Sequence, residues 1–138
     1  MKQRREAREL ALKVLYACEM CRDNDPEQLI AYLGEQHSYA PAIVSYGRDL
    51  VRRTLEHIEE VDQLLGTHAA NWRLDRMAAI DRNILRMAVT ELLFFRDVPY
   101  KVVIDEAVEI AKAYGTDESG KFVNGVIDAV YRARLAPK

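Results

Sequence analysis

Four groupings of side chains in this 138-residue chain have types and spacings that chemistry uses. The first is the basic run at the start. Lys2, Arg4, Arg5 and Arg8 stand against only Glu6 among the first eight residues, four cations less one carboxylate, a local excess of three. Such a run neutralises nucleic-acid phosphates. A helix N-terminus is already positive, so cations there are weakly unfavourable and suggest a use beyond stability. The plainer reading is a solvated helix start. The second is Cys18-Glu19-Met20-Cys21, a lone C-x-x-C. Zinc takes four ligands, usually from a second such pair, and His37, His57 and His68 are scattered without ligand spacing. The third is GTDESGK at residues 115–121, which has the glycine and lysine spacing of a P-loop. A P-loop needs a hydroxyl next and a strand before it. Here Phe122 follows, a helical pattern precedes, and Asp117 and Glu118 repel phosphate. The fourth is Asp105, Glu106 and Glu109 along one helix, read as a solvated face with no pocket of its own. Nothing pairs a nucleophile with a base. The sequence therefore predicts no catalytic residue, no metal and no cofactor.

The elements that must position these groups are helical. Residues 4–21 form a first helix with Leu10, Val14, Leu15 and Cys18 inward. Tyr16 sits beside that stripe, so partial exposure is expected. Asp25 caps a short second helix, Pro26 takes its first position and Gln28 reaches back. Leu29, Ile30 and Leu33 are its apolar residues and Gly34 ends it, with a loop at 36–40. A long third helix spans 41–65, with Ile43, Gly47, Leu50, Thr54, Leu55, Ile58, Val61 and Leu65 on one stripe. Residues 66–73 break the pattern, with Trp72 as an anchor between halves. A fourth helix covers 75–95, with Met77, Ile80, Ile84, Met87, Ala88, Leu92 and Phe95 inward. The next helix opens near Pro99 and carries Val103, Ala107, Ile110 and Ala111, with Lys112 in its last turn. Gly115 suits a left-handed position after it, and Thr116 caps the final helix, whose stripe is Phe122, Val123, Val126, Ile127 and Val130. Asn124-Gly125 is a hairpin signal, but the apolar period around it is helical. Gly125 is expected to admit another backbone closely.

Composition agrees. Hydrophobic residues make up 49% of the chain, enough for a core in one domain, and 4 prolines and 6 glycines leave helix as the expected class. No apolar run approaches a membrane span and no signal peptide opens the chain, so no membrane partner and a cytoplasmic location are expected. A net charge of −2 does not announce nucleic acid; only the distribution does.

Four stretches together are more specific than any one of them: RREARELALKVLYA, WRLDRMAAIDRNILRMAVTELL, VPYKVVIDEAVEIAK and SGKFVNGVID. In this order they resemble the NusB family of transcription antitermination factors. Residues 21–70 match only in helical character. The resemblance implies an all-α fold of six or seven helices in two small packed bundles. It implies one domain over 1–138, with an N-terminal half at 1–70 and a C-terminal half at 71–138. It also implies binding of boxA-type single-stranded RNA jointly with NusE, a small-subunit ribosomal protein, to support an RNA polymerase antitermination complex on ribosomal RNA operons. Carried onto this chain, Lys2, Arg4, Arg5 and Arg8 hold phosphates, and Glu118, Lys121 and Phe122 extend that surface. Tyr16, Met20 and Asp81 match positions used for NusE. Cations supply salt-sensitive affinity, a ring stacks on an unpaired base and a carboxylate accepts from base amines. Phe122 also lies on its helix's apolar stripe, so core packing and stacking both remain open.

Glu6 departs from the pattern, since relatives can carry an arginine there. Four cations on single-stranded RNA give a salt slope near −3, at about −0.7 per phosphate. The interrupted arm predicts a shallower slope for the protein alone. A second reading is a NusB-like interaction or RNA-binding module of ribosomal RNA maturation, as fused to some cytosine methyltransferases. The expectation that no methyltransferase domain follows Lys138 disfavours that context. A homodimer covering the RNA surface is a further possibility.

Overall fold

The structure is a computed structural model and describes residues 2–68 and 74–135. Among them are seven α-helices and no strand: α1 (Lys2–Met20), α2 (Pro26–Gln36), α3 (Pro41–Glu56), α4 (Ile58–His68), α5 (Ala79–Phe94), α6 (Tyr100–Tyr114) and α7 (Asp117–Val130). A 3-10 turn (Leu74–Arg76) precedes α5, and a π-helical turn (Tyr131–Leu135) follows α7. Trp72 lies outside the described residues.

Helix α5 is the central post. It packs against α1, α3, α4, α6 and α7. Its expected one-sided stripe is too narrow: Leu85, Val89, Thr90 and Glu91 are buried as well. A helix enclosed by five others has no polar face to spare. Around it, α1 lies along α2 and α3, while α6 and α7 form the most extensive helix pair.

Several local expectations change for reasons of packing. The long third helix divides at His57, whose ring stacks on Phe94 at 4.1 Å, giving α3 and α4 in place of one element. The helix then runs past Gly66 to His68. Residues 75–78 are not part of α5, which starts at Ala79. Gly34 does not end α2, which continues to Gln36. It is a contact glycine, since a Cβ there would stand 3.0 Å from the Val44 side chain. The cap of α2 is as expected: Asp25 accepts from the Glu27 N–H at 3.1 Å and Pro26 follows.

The core is crossed by one buried ion pair. Arg8 is 2% exposed and Glu91 1%. Nε and Nη2 of Arg8 donate to the two carboxylate oxygens of Glu91 at 2.7 and 2.9 Å. The Tyr46 hydroxyl donates to the same carboxylate at 2.7 Å. Three helices, α1, α3 and α5, therefore meet at one carboxylate. Burial, and then the Glu91 charge, push the Tyr46 phenol well above its ordinary range. A second network joins the far end of α1 to α5 and α4. Glu19 takes Arg82 and Arg86, and Arg86 also holds Asp62.

Removing one partner strands a buried charge. Glu91→Ala should therefore cost about 3–5 kcal/mol in urea unfolding. Replacing all three groups with apolar ones (Arg8→Met, Glu91→Leu, Tyr46→Phe) should cost less than that single change. Equal or greater loss in the triple variant would contradict this account. The bond from Arg82, and then its charge and that of Arg86, hold the Glu19 carboxyl below its ordinary range against burial. Its stabilisation is complete above the unfolded value, about 4.3, and is lost as pH falls through the lower folded value. Thermal melts of Glu19→Gln should accordingly show less acid destabilisation than the wild type.

Candidate nucleic-acid interface

The four cations of the basic run do not share one environment. The side chain of Lys2 lies outside the described residues. Arg4 is exposed, with its guanidinium 4.3 Å from the centre of the Tyr46 ring. This cation–π contact orients the side chain without consuming its donors on a carboxylate. Arg5 is half-buried and paired, with Nε donating to Glu106 at 2.9 Å and Nη2 donating to the other oxygen of that carboxylate. Arg8 is the core residue described above. Burial works against its charge, but the Glu91 bonds outweigh that and raise its pKa. The expectation that Arg8 holds phosphate is corrected: its guanidinium is enclosed and committed to Glu91.

Glu106 is a second correction. It was expected on a solvated face with Asp105 and Glu109, which are exposed. Glu106 is instead buried between Arg5 and Arg8, with the Arg8 Nη1 3.6 Å away. The bond from Arg5 and the nearby arginine charges hold its carboxyl below the ordinary range, against burial. The unfavourable placement of cations at the start of α1 is thus offset by carboxylates from α5 and α6.

A separate group forms where α7 begins. Thr116 caps the helix as expected, in a reciprocal box. Its hydroxyl accepts from the Ser119 N–H, and its own N–H donates to the Ser119 hydroxyl, both at 3.2 Å. Gly115 is not left-handed, having φ −120°. A Cβ there would stand 2.5 Å from the Ser119 hydroxyl oxygen, so glycine is required by the box and not by backbone handedness. Gly125 admits no close neighbour either; a Cβ would meet nothing within 4 Å.

This capped turn opens on a cleft of about 500 Å³ lined by Met77, Asp81, Thr116, Glu118, Lys121 and Phe122, among others. Glu118 and Lys121 are exposed and pair at 3.6 Å. Phe122 is half-buried: it packs against the core and also lines the cleft. Asp81 accepts from the Ser119 hydroxyl at 3.4 Å through one oxygen, while its other oxygen is buried without a hydrogen-bond partner among the described residues. The cleft therefore joins Asp81 to Glu118, Lys121 and Phe122, a grouping that sequence spacing did not show. Met20 is 54% exposed and Tyr16, one turn before it, is half-buried. The Glu19–Arg82 bonds, 2.7 and 2.8 Å, hold this end of α1 against the start of α5, where Asp81 sits. Cys18 is half-buried and Cys21 exposed, and no group of three or more metal-ligand side chains occurs among the described residues. No helix among them is long and apolar enough to cross a membrane.

The NusB family model matches residues 5–132. The chain belongs to the NusB family. A transcription antitermination protein NusB from Salinibacter ruber is 50% identical over 131 residues, covering 94% of this chain and 81% of that protein. One from Myxococcus xanthus is 44% identical, covering 99% of this chain and 100% of that protein. Among solved structures, T. maritima NusB superposes with a TM-score of 0.88 at 40% identity, over 97% of this chain and 93% of that one. A chain in the crystal structure of antitermination factors NusB and NusE with double-stranded RNA superposes with a TM-score of 0.87 at 34% identity, over 96% and 98% of the two chains. These matches settle the all-helical NusB fold for this family member.

Tyr46, Glu91 and Glu106 were missed as parts of the arm's surroundings. Glu91 had a signal: it is a lone carboxylate in MAVTELLFF, an otherwise uncharged run. A charge there has to be buried with a partner or break the helix's apolar surface. Glu106 had none, because Lys101, Asp105 and Glu109 surround it in sequence.

Gly115, before the cleft's helix, and Gly125, inside it, give a paired expectation. Gly115→Ala should destabilise by about 1–3 kcal/mol, since the box has to shift. Gly125→Ala should stabilise by up to about 1 kcal/mol, since helix propensity is all that changes. Chemical denaturation of both variants checks the opposite signs.

Proposed function

We propose that this chain is a transcription antitermination factor that binds boxA-type single-stranded RNA together with NusE. The pair supports an RNA polymerase antitermination complex on ribosomal RNA operons, in the cytoplasm and without catalysis by this chain. The observation that carries this reading is the superposition, over nearly the whole chain, on a structure that contains NusB, NusE and RNA.

The residue roles rest on the chemistry of their surroundings. Lys2, Arg4 and Arg5 contact phosphates; Arg8 does not. Lys121 adds a cation at the cleft, because an exposed pair with Glu118 exchanges readily for phosphate. Glu118 accepts from a base amine, and the cleft side of Phe122 receives an unpaired base. Tyr16, Met20 and Asp81 face NusE. The RNA in the superposed complex is double-stranded, whereas a ring and carboxylates at a cleft favour unpaired bases.

Binding of boxA RNA, a scrambled RNA and a duplex of the boxA sequence should be measured with and without NusE at fixed salt. Preference for single-stranded boxA, strengthened by NusE, is expected. Arg4→Ala and Lys121→Ala should each remove about 0.7 from the salt slope. Absence of any boxA preference with NusE present would overturn the reading and favour a protein-interaction role in ribosomal RNA maturation.

A further inference from the structure

We propose that Glu106 is an internal phosphate mimic that occupies Arg5 in the free protein, so that RNA must displace a carboxylate to recruit this cation. The inference rests on the RNA-binding reading above and adds a restraint on its affinity.

The geometry is that of the complex it competes with. Arg5 presents two adjacent donors, Nε and Nη2, to the two oxygens of one carboxylate. A phosphate takes the same parallel fork. Both anions cannot hold that edge of the guanidinium at once. The two partners also differ in access. The Arg5 side chain is 37% exposed, whereas the Glu106 side chain is 11% exposed. A phosphate arriving from solvent therefore meets the arginine and not the carboxylate.

Release does not strand Glu106. The Arg8 Nη1 lies 3.6 Å from its Oε1, so the buried carboxylate keeps a cation when Arg5 leaves. Arg8 is itself fixed by its two bonds to Glu91 and does not follow Arg5 outward. The pair thus differs from the Arg8–Glu91 bridge nearby: one bridge is enclosed and permanent, the other is open on one side and exchangeable. Arg4, three bonds of backbone away, lies over the Tyr46 ring and forms no ion pair with a carboxylate among the described residues. The arm is graded into a ready cation, a restrained one and a structural one.

The test is RNA affinity after the competitor is neutralised. Glu106→Gln keeps the shape and leaves Arg8 paired with Glu91. Asp105→Asn removes the same charge one residue away, from an exposed side chain, and controls for net charge. Affinity for boxA RNA with NusE and its salt slope are read for each. Glu106→Gln should bind about threefold to fivefold tighter, the range of a partly exposed ion pair. Its slope should stay that of the wild type, because Arg5 holds the same phosphate in both complexes and only the displacement of the carboxylate is removed. Asp105→Asn should change affinity less than twofold. Arg5→Ala combined with Glu106→Gln should bind no better than Arg5→Ala alone. Glu106→Met repeats the test with no acceptor at all and should gain at least as much. If Glu106→Gln and Glu106→Met bind no tighter than Asp105→Asn while the wild type still selects boxA, the lock is wrong and the RNA reading stands. Weaker binding by both would overturn it in favour of Glu106 as a support that aims Arg5. Failure of every form to select boxA would remove the RNA reading, and the lock with it.

Discussion

The buried bridge between Arg8 and Glu91 is the constraint around which this molecule is arranged. A guanidinium and a carboxylate, both nearly free of solvent, must satisfy each other and find a third group for the remaining lone pairs. Tyr46 supplies that group. Since the three side chains come from α1, α5 and α3, the bridge fixes how α1 is rolled against the post. That roll decides which cations of the basic run reach solvent. Arg4 emerges over the Tyr46 ring, and Arg5 points towards Glu106 on α6. A small change of register in α1 would place an uncompensated charge in the core.

The other end of α1 is organised by the same logic under less enclosure. Glu19 collects Arg82 and Arg86, and so brings Met20 beside the start of α5. From there Asp81 reaches the capping box of α7 through Ser119. The cleft is consequently bounded by two helix starts whose ends are pinned independently, one by ion pairs and one by the box. This gives Glu118, Lys121 and Phe122 a rigid base although their outer atoms are exposed. One oxygen of Asp81 is buried beside this box without a hydrogen-bond partner among the described residues.

Much of this was written in the chain. The stripes of Leu10 and Val14, of Leu50 and Val61, and of Ile110 and Ala111 are all buried. The caps at Asp25 and Thr116 formed as their residue types require. Glycines misled more often. Gly34 does not end its helix and Gly115 ends α6 without a left-handed turn, and both are glycines because another group needs the volume of a Cβ. Sequence periodicity has no access to that volume.

The sequence by itself determined the helices, their buried faces, the basic start of α1 and the family to which the chain belongs. These depend on side chains a few residues apart, whose spacing is visible along one strand of text. Only the tertiary structure decided which charges are free. Arg4, Arg5 and Arg8 are alike as residues, and their difference comes from Tyr46, Glu106 and Glu91, which stand roughly forty to a hundred positions away. Electrostatic pairing acts through space over a few ångströms, so the fate of each cation was set by packing and not by its neighbours in the chain.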